Sequence, residues 1–292
     1  VVVTAASGGA AAANEGVTAA SGGGTAPGDG AGAVERTAWP GAHASRDGVA
    51  WFRIARAHTR VTWLQLVRQP GYLVPVVVLP ALLYLLFGRA IDHGNHAAVT
   101  FAGYCIFAVL SATILQFSAV VAEWRARPWE AFVRSLAPPA AAQGAAHLVS
   151  ALGLAACSVA AVAVTAAATG GVPLTAGDAG PLAGILLAGT LPSIGLGLTV
   201  AYWTPRHAVV AAANLVWLSL AFLGGLLGSI ALPHSLARLT QALPTSLWLA
   251  LVSTSLSTHR VAWAALAGLV TWTAASFVAA ALGLRRVEAS SR

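Results

Sequence analysis

From about residue 72 onward the chain is a series of apolar runs separated by short polar stretches that hold most of its charge. A helix needs ~20 residues to cross ~30 Å of hydrocarbon. Runs of that order lie at 72–90, 97–122, 141–168, 181–203, 207–232 and 261–284, which predicts an all-α, polytopic membrane protein with six transmembrane helices. The stretch PTSLWLALVSTSL (244–256) is too short to cross and opens on a proline, so it reads as a short external or re-entrant helix. Residues 1–47 are a different material, dominated by Gly, Ala, Ser and Thr, with VTAASGG at 3–9 and again at 17–23. That composition buries too little apolar surface to offset the entropy of ordering. It predicts a disordered low-complexity tail ahead of a membrane domain spanning 48–292.

Composition agrees with the pattern. Only 9% of the residues are charged and 58% are hydrophobic, where soluble domains average about 25% charged. All 16 basic residues are arginine, and the sequence has no lysine. With the N-terminus inside, only Arg89, Arg238 and Arg260 fall in external segments, and the other thirteen lie on the cytoplasmic side. This asymmetry predicts a multi-pass cell-membrane protein with both termini in the cytoplasm. A seventh span would put Arg285 and Arg286 outside. The net charge of +7 therefore expresses orientation, and no nucleic-acid partner is expected.

Ahead of the first span, GVAWFRIARAHTRVTWLQLVRQPG (48–71) has its own periodicity. At about 100° per residue, Arg53, Arg56, Arg60 and Arg68 share an arc of roughly 120°, while Trp51, Phe52, Trp63 and Leu66 face away. The pattern predicts an N-terminal interfacial helix, with Trp63 at headgroup depth and the arginines toward anionic lipid and cytosol.

Several chemistries are disfavoured. Apart from Arg89 at the outer end of the first, none of the six runs contains Asp, Glu, Lys or Arg, which argues against proton-coupled transport, although sodium held by backbone carbonyls stays open. His147, near one end of the third run, is the one group expected to titrate at depth. Without lysine there is no G-x-x-x-x-G-K-S/T phosphate loop, so no catalytic ATPase site and no nucleotide cofactor are expected in this chain. Asp92, His93 and His96 form a loose loop cluster that reads as solvated rather than metal-binding. Cys105 and Cys157 read as apolar packing residues. Gln116 and Asn214 are polar positions inside spans, suited to interhelical hydrogen bonds or to the wall of a substrate path. Gly224 and Gly228 form a small-xxx-small pair that favours close helix packing.

One short segment stands out against this background. In RPWEAFVRSLAPP (127–139), Pro128 suits the first position of a helix and Pro138–Pro139 stops it. The helix between them would have about nine residues and a length of ~14 Å. Trp129, Phe132, Val133 and Leu136 form one apolar face, and Glu130 and Arg134 are an i,i+4 pair on another. By length and amphipathicity it fits a groove on a partner or the membrane surface.

The segments RQPGYLVPVVVLPALLYLLFG (68–88), RPWEAFVRSLAPPAA (127–141), LPSIGLGLTVAYWTPRHA (191–208) and NLVWLSLAFLGGLLGSIALPHSL (214–236) occur in this order. Together they resemble the membrane subunit of ABC-2-type transporters, the permease family of drug and glycan exporters. The likeness covers residues 50–286 and rests on order and spacing rather than on one diagnostic motif. It implies that 128–136 is a cytoplasmic coupling helix docking on a separate ATPase that binds ATP and magnesium. It also implies that Glu123 corresponds to a glutamate preceding that loop, and that permeases pair as homodimers or heterodimers. RAR at 125–127 and the alanine-rich run after Pro139 depart from the family's pattern. The expected function is export of a lipophilic or amphiphilic, drug-like or antibiotic-like substrate. Lipid-linked glycan export, an ion-coupled secondary carrier and a membrane scaffold are the alternatives.

Overall fold

The computed structural model describes residues 56–57, 59–65, 68, 70–88, 97–126, 140–172, 174–228 and 234–290. The expectations for 1–47, Arg53, the Asp92–His96 loop and 127–139, including Trp129, Glu130, Phe132, Val133, Arg134 and Leu136, fall outside these residues. Every described element is helical. After helical residues 59–65 come α1 (Pro70–Leu83, continued by a π turn Tyr84–Gly88), α2 (Ala97–Ala126), α3 (Ala140–Thr169) and α4 (Ala176–Trp203). A 3₁₀ turn (Arg206–Ala208) leads into α5 (Val209–Leu223), followed by α6 (His234–Gln241), α7 (Pro244–Thr258) and α8 (Trp263–Ser290).

Six of these helical stretches are long and apolar enough to cross a membrane: Gly71–Gly88, Ala97–Arg125, Gly144–Thr169, Ala176–Trp203, Arg206–Leu223 and Trp263–Ala289. They mark a multi-pass membrane protein. Helices α2, α4 and α8 run past the apolar runs, so Glu123, Arg125, Asp178, Arg285 and Arg286 sit near helix ends. The end of the bundle holding Arg125, Arg206 and Arg286 is called the arginine end below.

Helix α2 is the centre. Of its span, 78% is buried, against 22% for the first, fifth and sixth spans. Its sequence is apolar on every side, the signature of a helix surrounded by others. Phe101, Tyr104, Ile106, Phe107, Leu110 and Ile114 are all core residues.

Helix α1 carries prolines inside it, Pro75 and Pro80. Pro80 has no N–H for the carbonyl of Val76, four residues earlier. Ser158 of α3 replaces it, its hydroxyl donating to Val76 O at 2.9 Å. A neighbouring hydroxyl thus satisfies a carbonyl that would otherwise sit bare in hydrocarbon. The π turn follows one helical turn later, and its Tyr84 ring packs edge-on against Phe101 and Tyr104 of α2 at 5.9 and 5.4 Å.

The fifth span differs most from its hydropathy. The apolar run continues to residue 232, yet the helix ends at Leu223. Gly225 (φ 74°) and Gly228 (φ 119°) turn the backbone through left-handed conformations, which a glycine adopts without the steric cost borne by other residues.

The short helix α7 is built into the bundle, with Trp248, Leu251, Val252 and Thr245 buried. Trp248 Nε1 donates to Ile185 O of α4 at 3.0 Å, and Thr245 Oγ1 donates to Leu220 O of α5 at 2.7 Å. Both approaches need a bare backbone. A methyl group on Gly189 would overlap the Trp248 indole, and one on Gly224 would overlap the Thr245 side chain.

Candidate functional site

At the arginine end, a cavity of about 90 Å³ lies between residues 59–65, α1, α2 and α3. Thr62 and Gln65 come from the N-terminal helix, Tyr72 from α1, and His147 from α3. Helix α2 supplies Gln116, Ala119, Val120, Glu123 and Trp124. Positions 116, 120 and 123 recur at helical spacing, so one face of the central helix forms a wall of the cavity. Gln116 is buried and Glu123 exposed. Their seven-position separation spans about 10 Å of helix axis, from floor to rim.

Inside the cavity, Tyr72 OH donates to Gln116 Oε1 at 3.3 Å, a long bond that joins α1 to α2. The Trp124 and His147 rings meet edge-on at 5.4 Å. The lining thus combines one carboxylate, one imidazole, two amides, a phenol, a hydroxyl and an indole, a set suited to binding through hydrogen bonds and charge. Among the described residues, no group of three His, Cys, Asp or Glu is placed to hold a metal ion.

Next to the cavity, the end of α2 is fastened to the corner between α4 and α5. Arg125 Nη1 donates to Ala201 O and to Thr204 O, the latter at 3.0 Å. These carbonyls belong to the last turn of α4, where the unpaired acceptors and the negative end of the helix dipole favour a cation. Arg206, just past that corner, returns the contact, its Nη1 donating to Arg125 O at 2.6 Å. On the far side of α4, Trp203 Nε1 donates to Ala279 O at 2.9 Å, and the Arg286 guanidinium lies over the Trp203 ring at 5.5 Å. Arg125, two residues before 127–139, is therefore tied through α4 to α8.

The remaining residues singled out by sequence are spread over the molecule. Arg56 and Arg60 are exposed, while Trp63 is half-buried with its ring against Gly153 of α3. Asn214 satisfies its amide within α5, donating to Val210 O and accepting from Trp217 Nε1, both at 3.0 Å. Gly224 ends α5 against α7, and Gly228 lies in the turn beyond it. Among the described residues flagged by sequence, Gln116, Glu123 and His147 converge on the cavity.

Sequence reasoning used Arg125 and Arg206 for orientation and not for helix contacts, and gave no role to Tyr72, Thr62, Gln65 or Trp124. The spacing of Gln116 and Glu123 on one face of α2 was the available signal for the cavity. The arginine contacts leave no such trace, because their acceptors are backbone carbonyls. No protein-family model matches the chain, and no curated protein is significantly similar to it.

Proposed function

We propose that this chain is the permease subunit of an ATP-binding-cassette exporter, moving a lipophilic or amphiphilic substrate out of the cytoplasm with ATP hydrolysed by a separate subunit. The observation that carries the reading is an amphipathic, proline-bracketed segment (127–139) continuing directly from the buried central helix of a six-span bundle, in a chain without the lysine of a phosphate loop. In this reading the arginine end faces the cytoplasm, the 128–136 helix docks on the ATPase, and two permeases pair. The resemblance to ABC-2-type permeases in segment order supports it. Motion of the docked segment would reach α4 and α8 through Arg125, Arg206 and Trp203. The N-terminal helix, with exposed Arg56 and Arg60, would sit at the headgroups of the inner leaflet. A lipid-linked glycan is the other substrate class that this architecture suits.

A second reading, an ion-coupled secondary carrier, is favoured by one observation: His147 and Glu123 line a single polar cavity beside the spans. Flux of a lipophilic dye from proteoliposomes separates the two. An exporter subunit gives no flux with an ion gradient alone and ATP-dependent flux once its ATPase is present. Gradient-driven flux from the purified chain alone would assign it to the carriers.

A further inference from the structure

Gln116 is the most deeply buried of the side chains lining the cavity at the arginine end, at 4% exposure. A side-chain amide carries two N–H donors and one acceptor oxygen. The Tyr72 hydroxyl meets it once, at 3.3 Å. Whichever way the amide is turned, that single contact leaves at least one N–H over. Among the described residues nothing accepts this N–H, and the amide borders the open space of the cavity. A buried donor without an acceptor is costly, so the space in front of it favours a group that brings an oxygen. The amide and the phenol that meet at the floor are dipoles without net charge. An ion brought to them would leave water and gain no counter-charge from either, whereas a neutral carbonyl or hydroxyl exchanges one hydrogen-bond partner for another. Size narrows the choice. At about 90 Å³ the cavity is well above the ~10–15 Å³ that admits one water and below the ~150 Å³ of a cavity that takes benzene. It accommodates a group of about five heavy atoms, and excludes a sugar ring or a fused aromatic system.

We infer that this cavity binds an uncharged head bearing a carbonyl or hydroxyl oxygen, which accepts a hydrogen bond from Gln116 while the rest of the ligand stays outside. As the substrate class of an exporter, this inference rests on the permease reading and narrows it to neutral amphiphiles. As a binding site, it requires neither ATP nor a partner.

The test uses the full chain in phosphatidylcholine nanodiscs, with radiolabelled hexanamide as the probe and empty nanodiscs as the background. Saturable binding of one probe per chain is expected, displaced by hexanol but not by hexane, hexylammonium or hexanoate. Gln116→Leu, which keeps the bulk and removes the donor, weakens it about fivefold or more. Ala119→Leu, which fills the space and leaves the polar lining residues in place, abolishes it. Tyr72→Phe stays within about threefold of the wild type, because Gln116 keeps its N–H. Asn214→Leu, the loss of an amide that bonds within α5, leaves binding unchanged. Each variant is first shown to elute as the wild type does on size exclusion. Absence of saturable binding by the wild type overturns the inference and leaves the cavity to water. Equal binding by Gln116→Leu or by Ala119→Leu also overturns it. Displacement by hexylammonium or hexanoate would assign the cavity to an ion, and displacement by hexane to an apolar chain; either result contradicts the inference. Because no ATPase is present, loss of the permease reading leaves this result standing, and the reverse is also true.

Discussion

Helix α2 meets α4 on one side and the N-terminal helix with α1 on another, and the two seams are built differently. Against α4, the backbones come together. A methyl group on Gly197 would lie 2.9 Å from Ile114 O, Ser118 Oγ donates to Gly197 O at 3.0 Å, and Arg125 closes the seam on the last carbonyls of α4. Against the N-terminal helix and α1, side chains meet across the cavity, where Tyr72 OH donates to Gln116 Oε1 at 3.3 Å. In hydrocarbon there is no hydrophobic gain from helix association, so tight packing of small residues and hydrogen bonds hold spans together. The α4 seam has both. Across the cavity, side chains rather than backbones face one another around open space.

The strongest way to break the contrast is to fill the tight seam. Gly197→Leu should destabilise the protein by about 3 kcal/mol, the upper part of the usual range for overpacking. The obstructing atom is a backbone carbonyl, which has little freedom to yield. Gly184 offers the control, because a methyl group there would meet nothing within 4 Å. Gly184→Leu should match or slightly exceed the wild type in thermal unfolding followed by size exclusion. If Gly197→Leu unfolds with the wild type, the seam is not closed at the backbone.

Arg125→Gln comes next. It removes charge-assisted bonds to two carbonyls, worth ~1.5 kcal/mol at the low end because the guanidinium is only half-buried. Its more informative effect is functional. With the ATPase bound, substrate-stimulated hydrolysis should fall while association is kept, since 127–139 is untouched. Hydrolysis at the wild-type rate would show that force does not pass through this contact.

Tyr72→Phe should do least to stability, a few tenths of a kcal/mol, because bonds between spans average ~0.6 and this one is long. Its thermal unfolding followed by size exclusion should nearly overlay that of the wild type. A loss of stability comparable to that of Gly197→Leu would erase the distinction between the two seams.

These seams were legible in sequence to different degrees. Hydropathy located the spans because length and apolarity are what a bilayer selects: the run at 97–122 appears as α2, and that at 141–168 as α3. It overran at α5 because it measures polarity and is blind to backbone, and Gly225 and Gly228 turn the chain while it is still apolar. Gln116 was conspicuous as an amide in an apolar run, and it lines the cavity. Asn214 was equally conspicuous, yet it bonds within its own helix, a choice set by the local rotamer and by Trp217 rather than by residue type. The grip of Arg125 on α4 was illegible, since any residue could have supplied those carbonyls. Ser158 illustrates the same limit: Pro80 announces an orphaned carbonyl, but only the fold shows which hydroxyl serves it.

The central claim is that 127–139 joins this bundle to a separate ATPase, and purification from native membranes tests it most directly. The wild type should bring down a phosphate-loop ATPase in a one-to-one ratio. Phe132→Asp, at matched expression, should lose it, because burying an unpaired charge in an apolar groove costs several kcal/mol. Glu130→Ala should retain it, since an exposed helix pair is worth only ~0.3–0.5 kcal/mol. Recovery of the wild type without any ATPase, or of Phe132→Asp with its full complement, would contradict the account.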